Sequence, residues 1–98
     1  MKRLVVRTAA AGDIVDAYDW YEAQRRGLGE ESLAALGAVR DRLLEHPEAY
    51  PVLHRNTRCA LIPQRFPYAL FYRIDGDTIV MVACMHAKRH PRRWQHRR

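Results

Sequence analysis

Cysteine is scarce. The 98 residues hold only Cys59 and Cys84, with no Cys-x-x-Cys. That spacing argues against a disulfide framework or a cysteine-built zinc site, and predicts two reduced thiols filling core space. Long hydrophobic runs are also missing, and none approaches the ~20 residues of a membrane-spanning helix. The opening, MKRLVVRTAA, has too short an apolar part for a secretory leader, and Arg7 interrupts it. A cytoplasmic protein is therefore expected. With no repeat, linker or low-complexity tract, residues 1–98 read as a single domain with a basic C-terminal segment, 86–98. At this length roughly two-thirds of the unfolded surface is buried on folding.

Acid is lacking at one end. Residues 1–85 carry eleven Lys/Arg and eleven Asp/Glu, which cancel. The whole net charge of +6 comes from Lys88, Arg89, Arg92, Arg93, Arg97 and Arg98, among which no Asp or Glu falls. Charge localised in this way points to a polyanion or an acidic protein partner. A solvated tail would carry the same charge, but Pro91 and Trp94 favour an ordered segment.

What is present is a strong hairpin. In FPYALFYRIDGD, Tyr68, Leu70, Tyr72 and Ile74 fall on one face of a strand, with Ala69, Phe71 and Arg73 on the other. Asp75-Gly76 predicts a tight type I′ turn. The return limb, Thr78 to Met85, has no polar face, so it belongs inside a sheet, covered on both sides.

Upstream, Lys2 to Arg7 reads as a first strand. Thr8 is the expected N-cap of a helix running to Arg26 and stopped by Gly27. Ile14, Ala17, Tyr18 and Tyr21 recur at helical spacing, and Asp13, Asp16, Asp19 and Glu22 are assigned to its outer surface. A second helix begins near Leu28 or Gly29 and ends before Pro47, its apolar stripe formed by Leu33, Leu36, Val39, Leu43 and Leu44. Glu48 to Asn56 reads as loop and Thr57 to Ile62 as the second strand. The expected class is α+β in the order β-α-α-β-β-β, with a helical hairpin on a small, mostly antiparallel sheet.

Several stretches carry a resemblance. They are Trp20-Tyr21-Glu22, GLG at 27–29, HPEAYP at 46–51, FPYALFYRIDGD at 66–77 and the closing His86-x-x-Arg89-x-Pro91-x-x-Trp94. In this order the chain resembles the RelE/ParE superfamily of toxins from type II toxin–antitoxin modules, nearer the ParE-like branch. The resemblance implies a prokaryotic plasmid-stabilization type of toxin, neutralised by a cognate antitoxin whose flexible, acidic C-terminal segment wraps it. It implies no cofactor and one of two activities: mRNA cleavage at the ribosome, as in RelE-like interferases, or inhibition of DNA gyrase, as in ParE-like members.

A metal-independent ribonuclease needs an acid or base and cations to stabilise the phosphorane. His86 would supply the first, and Arg65 and Arg89 the phosphate clamps. Lys88, His90 and Arg92 are weaker candidates. RelE-like nucleases generally carry Arg early in the third strand, where this chain has Ala69. The preceding loop offers Arg55 and Arg58 rather than paired lysines, and Trp94 stands in place of a C-terminal Tyr. A gyrase inhibitor needs no catalytic constellation, only an exposed surface, and the expected target- or antitoxin-binding set is Arg65, His86, Lys88, Arg89, Arg92, Arg93 and Trp94. Two blander readings stand beside these. His86 also reads as a strand-end cap bonded to backbone, and Trp94 as a lid folding the tail over the core. A non-toxic basic nucleic-acid-binding module is the reading from another class, although no recognition helix is evident. For His86, His90 and His96, Pro91 breaks helical spacing and no Cys, Asp or Glu follows, so no metal site is expected.

Overall fold

A computed structural model describes residues 3–62, 66–86 and 91–97. Strand β1 (Arg3–Val6) leads into helices α1 (Thr8–Gln24) and α2 (Leu28–Glu45), and a 3-10 turn follows at Pro47–Ala49. Strands β2 (Val52–His54), β3 (Thr57–Leu61), β4 (Tyr68–Asp75) and β5 (Thr78–His86) come next, and the short helix α3 (Pro91–Gln95) closes the described chain. The five strands form one sheet in the order β1-β5-β4-β3-β2. Among the described strands, only β1 and β5 pair in parallel.

The expected order holds, with two additions. β2 lies within the stretch read as loop: its three residues pair loosely with β3, and Val52 and Leu53 stay exposed at the sheet edge. A strand that short, with no buried face, has no period-2 signature. α3 is the other addition.

Three local expectations change. The N-cap position of α1 is Arg7, without a side-chain cap, and Thr8 is already helical. Asp13 and Glu22 leave the outer surface to bind backbone, as described below. The hairpin loop is Gly76-Asp77 rather than Asp75-Gly76, because Ile74 pairs with Ile79 and Asp75 with Thr78. Only Gly76 has positive φ, 57°, the pattern of a type II′ turn and not of type I′. Register wins here over the dipeptide signal, since the two isoleucines must share the helix-facing side.

β5 is interior, as its sequence requires, with Ile79 to Cys84 all buried. One sheet face packs Leu70, Tyr72, Ile79, Met81 and Cys84 against Ala10 and Tyr21 of α1 and Val39 and Leu43 of α2. The opposite face gathers Cys59, Ala69, Phe71, Val80, Val82 and Ala83 under Trp94. Both cysteines are free and buried, one on each face. Burial pushes the Cys59 thiol up, and pushes that of Cys84 to about 12 with help from the Asp13 carboxylate.

β5 also carries a bulge. Phe71 opposes Ala83 while Tyr72 opposes Met81, so Val82 is an extra residue on that strand.

The family-like segments have local physical reasons. Gly27 adopts a left-handed φ of 89°, which favours glycine. The Glu22 carboxylate then accepts the backbone N–H groups of Gly27 (3.0 and 3.1 Å) and Gly29 (3.0 Å). Those donors begin α2 and would otherwise lack a partner. A Cβ on Gly29 would lie 2.9 Å from both Glu22 Oε1 and the Tyr18 ring, so the carboxylate can approach only a glycine. In the 46–51 segment, Tyr72 donates its hydroxyl to Pro47 O (2.5 Å), and Arg58 donates to Tyr50 O (2.7 Å) and Glu48 O (3.2 Å). The loop is therefore pinned to the sheet by two side chains.

Candidate functional site

The C-terminal segment is built into the domain. Trp94 is 4 % exposed and lies flat on Phe71, with ring centroids 4.3 Å apart and planes 15° apart. The edge of His54 meets the same indole at 6.1 Å. Beyond it, Arg97 forms a two-pronged ion pair with Asp13 of α1 and also donates to Val82 O at 3.2 Å. Asp13 in turn accepts the backbone N–H of Cys84 at 3.0 Å.

The backbone explains this arrangement. β1 stops covering β5 after the Val6–Met81 pair and the bond from Arg7 N–H to Met81 O. The next polar groups of β5 need partners from outside the sheet, because an unpaired buried amide is costly. Asp13 supplies the acceptor and Arg97 the donor, and their side chains are only 11 % and 21 % exposed. Neither was legible as a partner of the other in sequence, since 84 positions separate them.

This join brings together part of the expected site. His86 ends β5 opposite Tyr68, with ring centroids 6.2 Å apart. A surface hollow there is lined by Asp13, Asp16 and Trp20 of α1, Tyr68 of β4, His86, and Arg93 of α3. His86 and Arg93 thus share one rim, and Arg92 and Arg93 are exposed. Trp94 belongs to the core side of the same helix. Arg65, Lys88 and Arg89 lie outside the described residues, as does His90. Trp20, 55 % exposed, belongs to the rim, although sequence reading noted it only within a motif.

Two other surfaces matter. Between α1, α2 and the start of β4 lies an apolar hollow lined by Leu33, Leu36, Ile62, Phe66, Tyr68 and Tyr21. The Tyr21 hydroxyl is buried there without a hydrogen-bond partner among the described residues, and burial pushes its pKa up to about 12. On the other sheet face, the β2–β3 turn, Arg73 and the end of α3 enclose a polar groove that sequence reading missed, having noted Arg55, Arg73, His96 and Arg97 only separately. Among the described residues, no group of three His, Cys, Asp or Glu side chains is placed to hold a metal ion. No described helix is long and apolar enough to cross a membrane.

Comparison with known proteins agrees with this architecture. A family model described as the ParE toxin of the type II toxin–antitoxin system parDE matches residues 4–91. Among solved structures, the chain is similar to one from the chromosomal ParDE toxin–antitoxin system of P. aeruginosa. The match has a TM-score of 0.65 and 20% identity, and covers 90% of this chain and 98% of that one. At that identity the likeness concerns the fold. No curated protein matches the sequence.

Proposed function

The chain belongs to the ParE toxin family of type II toxin–antitoxin systems, and from that premise we propose that it inhibits DNA gyrase in the cytoplasm without catalysing a reaction of its own. Membership makes it the toxin component of such a module, with a cognate antitoxin as partner.

One observation carries the non-catalytic reading. Ala69 stands where RelE-like nucleases generally carry Arg. It is fully buried, on the sheet face that Trp94 covers. A methyl group sealed under an indole offers no cation to a phosphorane. The rim formed by His86, Arg93 and Trp20 is instead an exposed, mixed aromatic and charged surface of the kind that anchors protein contacts. Arg92 extends it, and Arg65, Lys88 and Arg89 are assigned to the same surface from sequence.

The antitoxin, in this reading, wraps the helical hairpin with its C-terminal segment. An amphipathic helix would seat apolar side chains in the hollow beside Leu33 and Leu36 and offer an acceptor to the Tyr21 hydroxyl. Acidic residues of the same segment would meet Arg92 and Arg93.

Inducible expression tests the target. Gyrase-dependent DNA breaks and altered plasmid supercoiling, with intact mRNA, are expected. Rapid mRNA cleavage with normal supercoiling would replace this reading with an mRNA interferase. Viable cells showing neither would leave the chain a non-toxic basic module.

A further inference from the structure

The groove on the face away from the helical hairpin has a one-sided chemistry. It holds about 500 Å³ and is lined by His54, Arg55, Asn56 and Thr57 of the β2–β3 turn, Arg73 of β4, and Gln95, His96 and Arg97 at the end of the chain. No Asp or Glu lines it, although the chain up to residue 85 is neutral overall. Arg97 is held by Asp13 and Arg73 by Asp75, so both guanidinium groups are fixed in place.

Arg55 differs from them. It is exposed, makes no ion pair among the described residues, and occupies a left-handed φ of 53° that residues other than glycine seldom adopt. Asn56, the next residue, tolerates that conformation better. Strain held at one arginine at the mouth of an acid-free groove is the kind of outlier that marks a binding site.

We propose that this groove binds the phosphodiester backbone of a nucleic acid, with Arg55 as its principal contact. Arg73 and Arg97, whose charges Asp75 and Asp13 offset, form a fixed floor of N–H donors, and His54, Asn56, Gln95 and His96 supply further ones. A guanidinium matches the paired oxygens of a phosphate. Contacts to phosphate carry no sequence information, so binding through them is independent of sequence and sensitive to salt. The inference does not rest on the gyrase reading: the groove is separate from the His86 rim, and a chain could hold nucleic acid whatever its target.

Fluorescence anisotropy of the full chain with a labelled 20-base-pair DNA duplex and a single-stranded RNA of equal length, across 50–200 mM salt, tests it. Arg55→Glu should weaken binding at least about tenfold at the low-salt end. Arg55→Asn, which suits the left-handed turn, should lower the salt slope by about one. Arg40→Glu, on the exposed side of α2, makes the same charge change elsewhere and should leave affinity within about twofold. The preferred probe identifies which nucleic acid supplies the backbone. Equal losses for Arg55→Glu and Arg40→Glu would reduce the effect to net charge and overturn the site, as would failure of the wild-type chain to bind either probe at 50 mM salt. Circular dichroism of each variant separates a lost contact from a lost fold. A chain that binds DNA but spares gyrase would sink the gyrase reading and leave this one standing.

Discussion

Asp13 and Arg97 meet across the edge of β5, joining the first helix to the last described residue of the chain. Each also satisfies a backbone group of that strand, so the pair is at once an ion pair and a cap on the sheet. Removing one partner leaves the other partly buried and uncompensated. Arg97→Ala or Asp13→Asn should each cost roughly 2–3 kcal/mol, in line with hydrogen bonds to charged groups. The double variant should cost less than the sum. Urea unfolding of the four species gives the cycle, and strict additivity would show that the pair is not coupled.

Trp94 is the centre of the second core cluster, so Trp94→Ala should destabilise the domain by about 3–5 kcal/mol. Trp94→Phe keeps most of the stack on Phe71 and should cost much less. Loss of toxicity in Trp94→Ala therefore has to be read beside its thermal melt before any contact role is inferred.

Exposed Arg93 offers the cleaner test of the rim. Arg93→Glu should leave stability within about 0.5 kcal/mol, as surface changes usually do. Toxicity on induction should fall at least tenfold if the rim engages the target. A full-strength toxin would move the target surface elsewhere.

Glu22 gives a dependence on pH. The N–H groups of Gly27 and Gly29 hold its carboxyl below the ordinary value of 4.5, with smaller help from Arg26 and Arg25. A folded-state pKa below the unfolded one means that the contribution is fully present above about pH 4.5 and is lost as pH falls through the folded value. Thermal melts from pH 6 down to pH 3 should show this loss, and Glu22→Gln should flatten it. Gly29→Ala should destabilise by about 1–3 kcal/mol, because the added methyl meets the Tyr18 ring and the same carboxylate.

Tyr21→Phe removes a buried hydroxyl that has no partner among the described residues. The free toxin should be unchanged or up to about 1 kcal/mol more stable, since no hydrogen bond is lost. Under the docking mode proposed above, the same change should weaken antitoxin binding. Calorimetry of both steps separates the effects.

The elements carried by periodicity were legible from residues alone. β4 announces itself through alternation, β5 through an unbroken apolar run and the turn signal between them, and the helices through their apolar stripes and Gly27. The missed features lack a local signature. β2 has no buried face to pattern it, and α3 is only one turn long. The Asp13–Arg97 bond follows from where β1 happens to stop, a property of register between distant strands. Glu22 looked like a surface acid because its partners are backbone amides, which sequence does not display. The polar groove escaped for a related reason: its arginines lie on β2–β3, β4 and the C-terminal turn, and only the folded sheet sets them side by side.

The extra residue at Val82 decides where β5 points when it ends. Alternation alone, counted from Ile79, would send the imidazole of His86 to the tryptophan-covered side. The slip of one position sends it back toward Tyr68 and the acidic flank of α1. Deleting that single valine would straighten the ladder and keep His86 opposite Tyr68, whereas pairing Val82 in regular register would turn the strand's final side chains over together, carrying Cys84 out from under the helices and the histidine away from Arg93. The direction faced by the rim is thus written in an irregularity several residues before it.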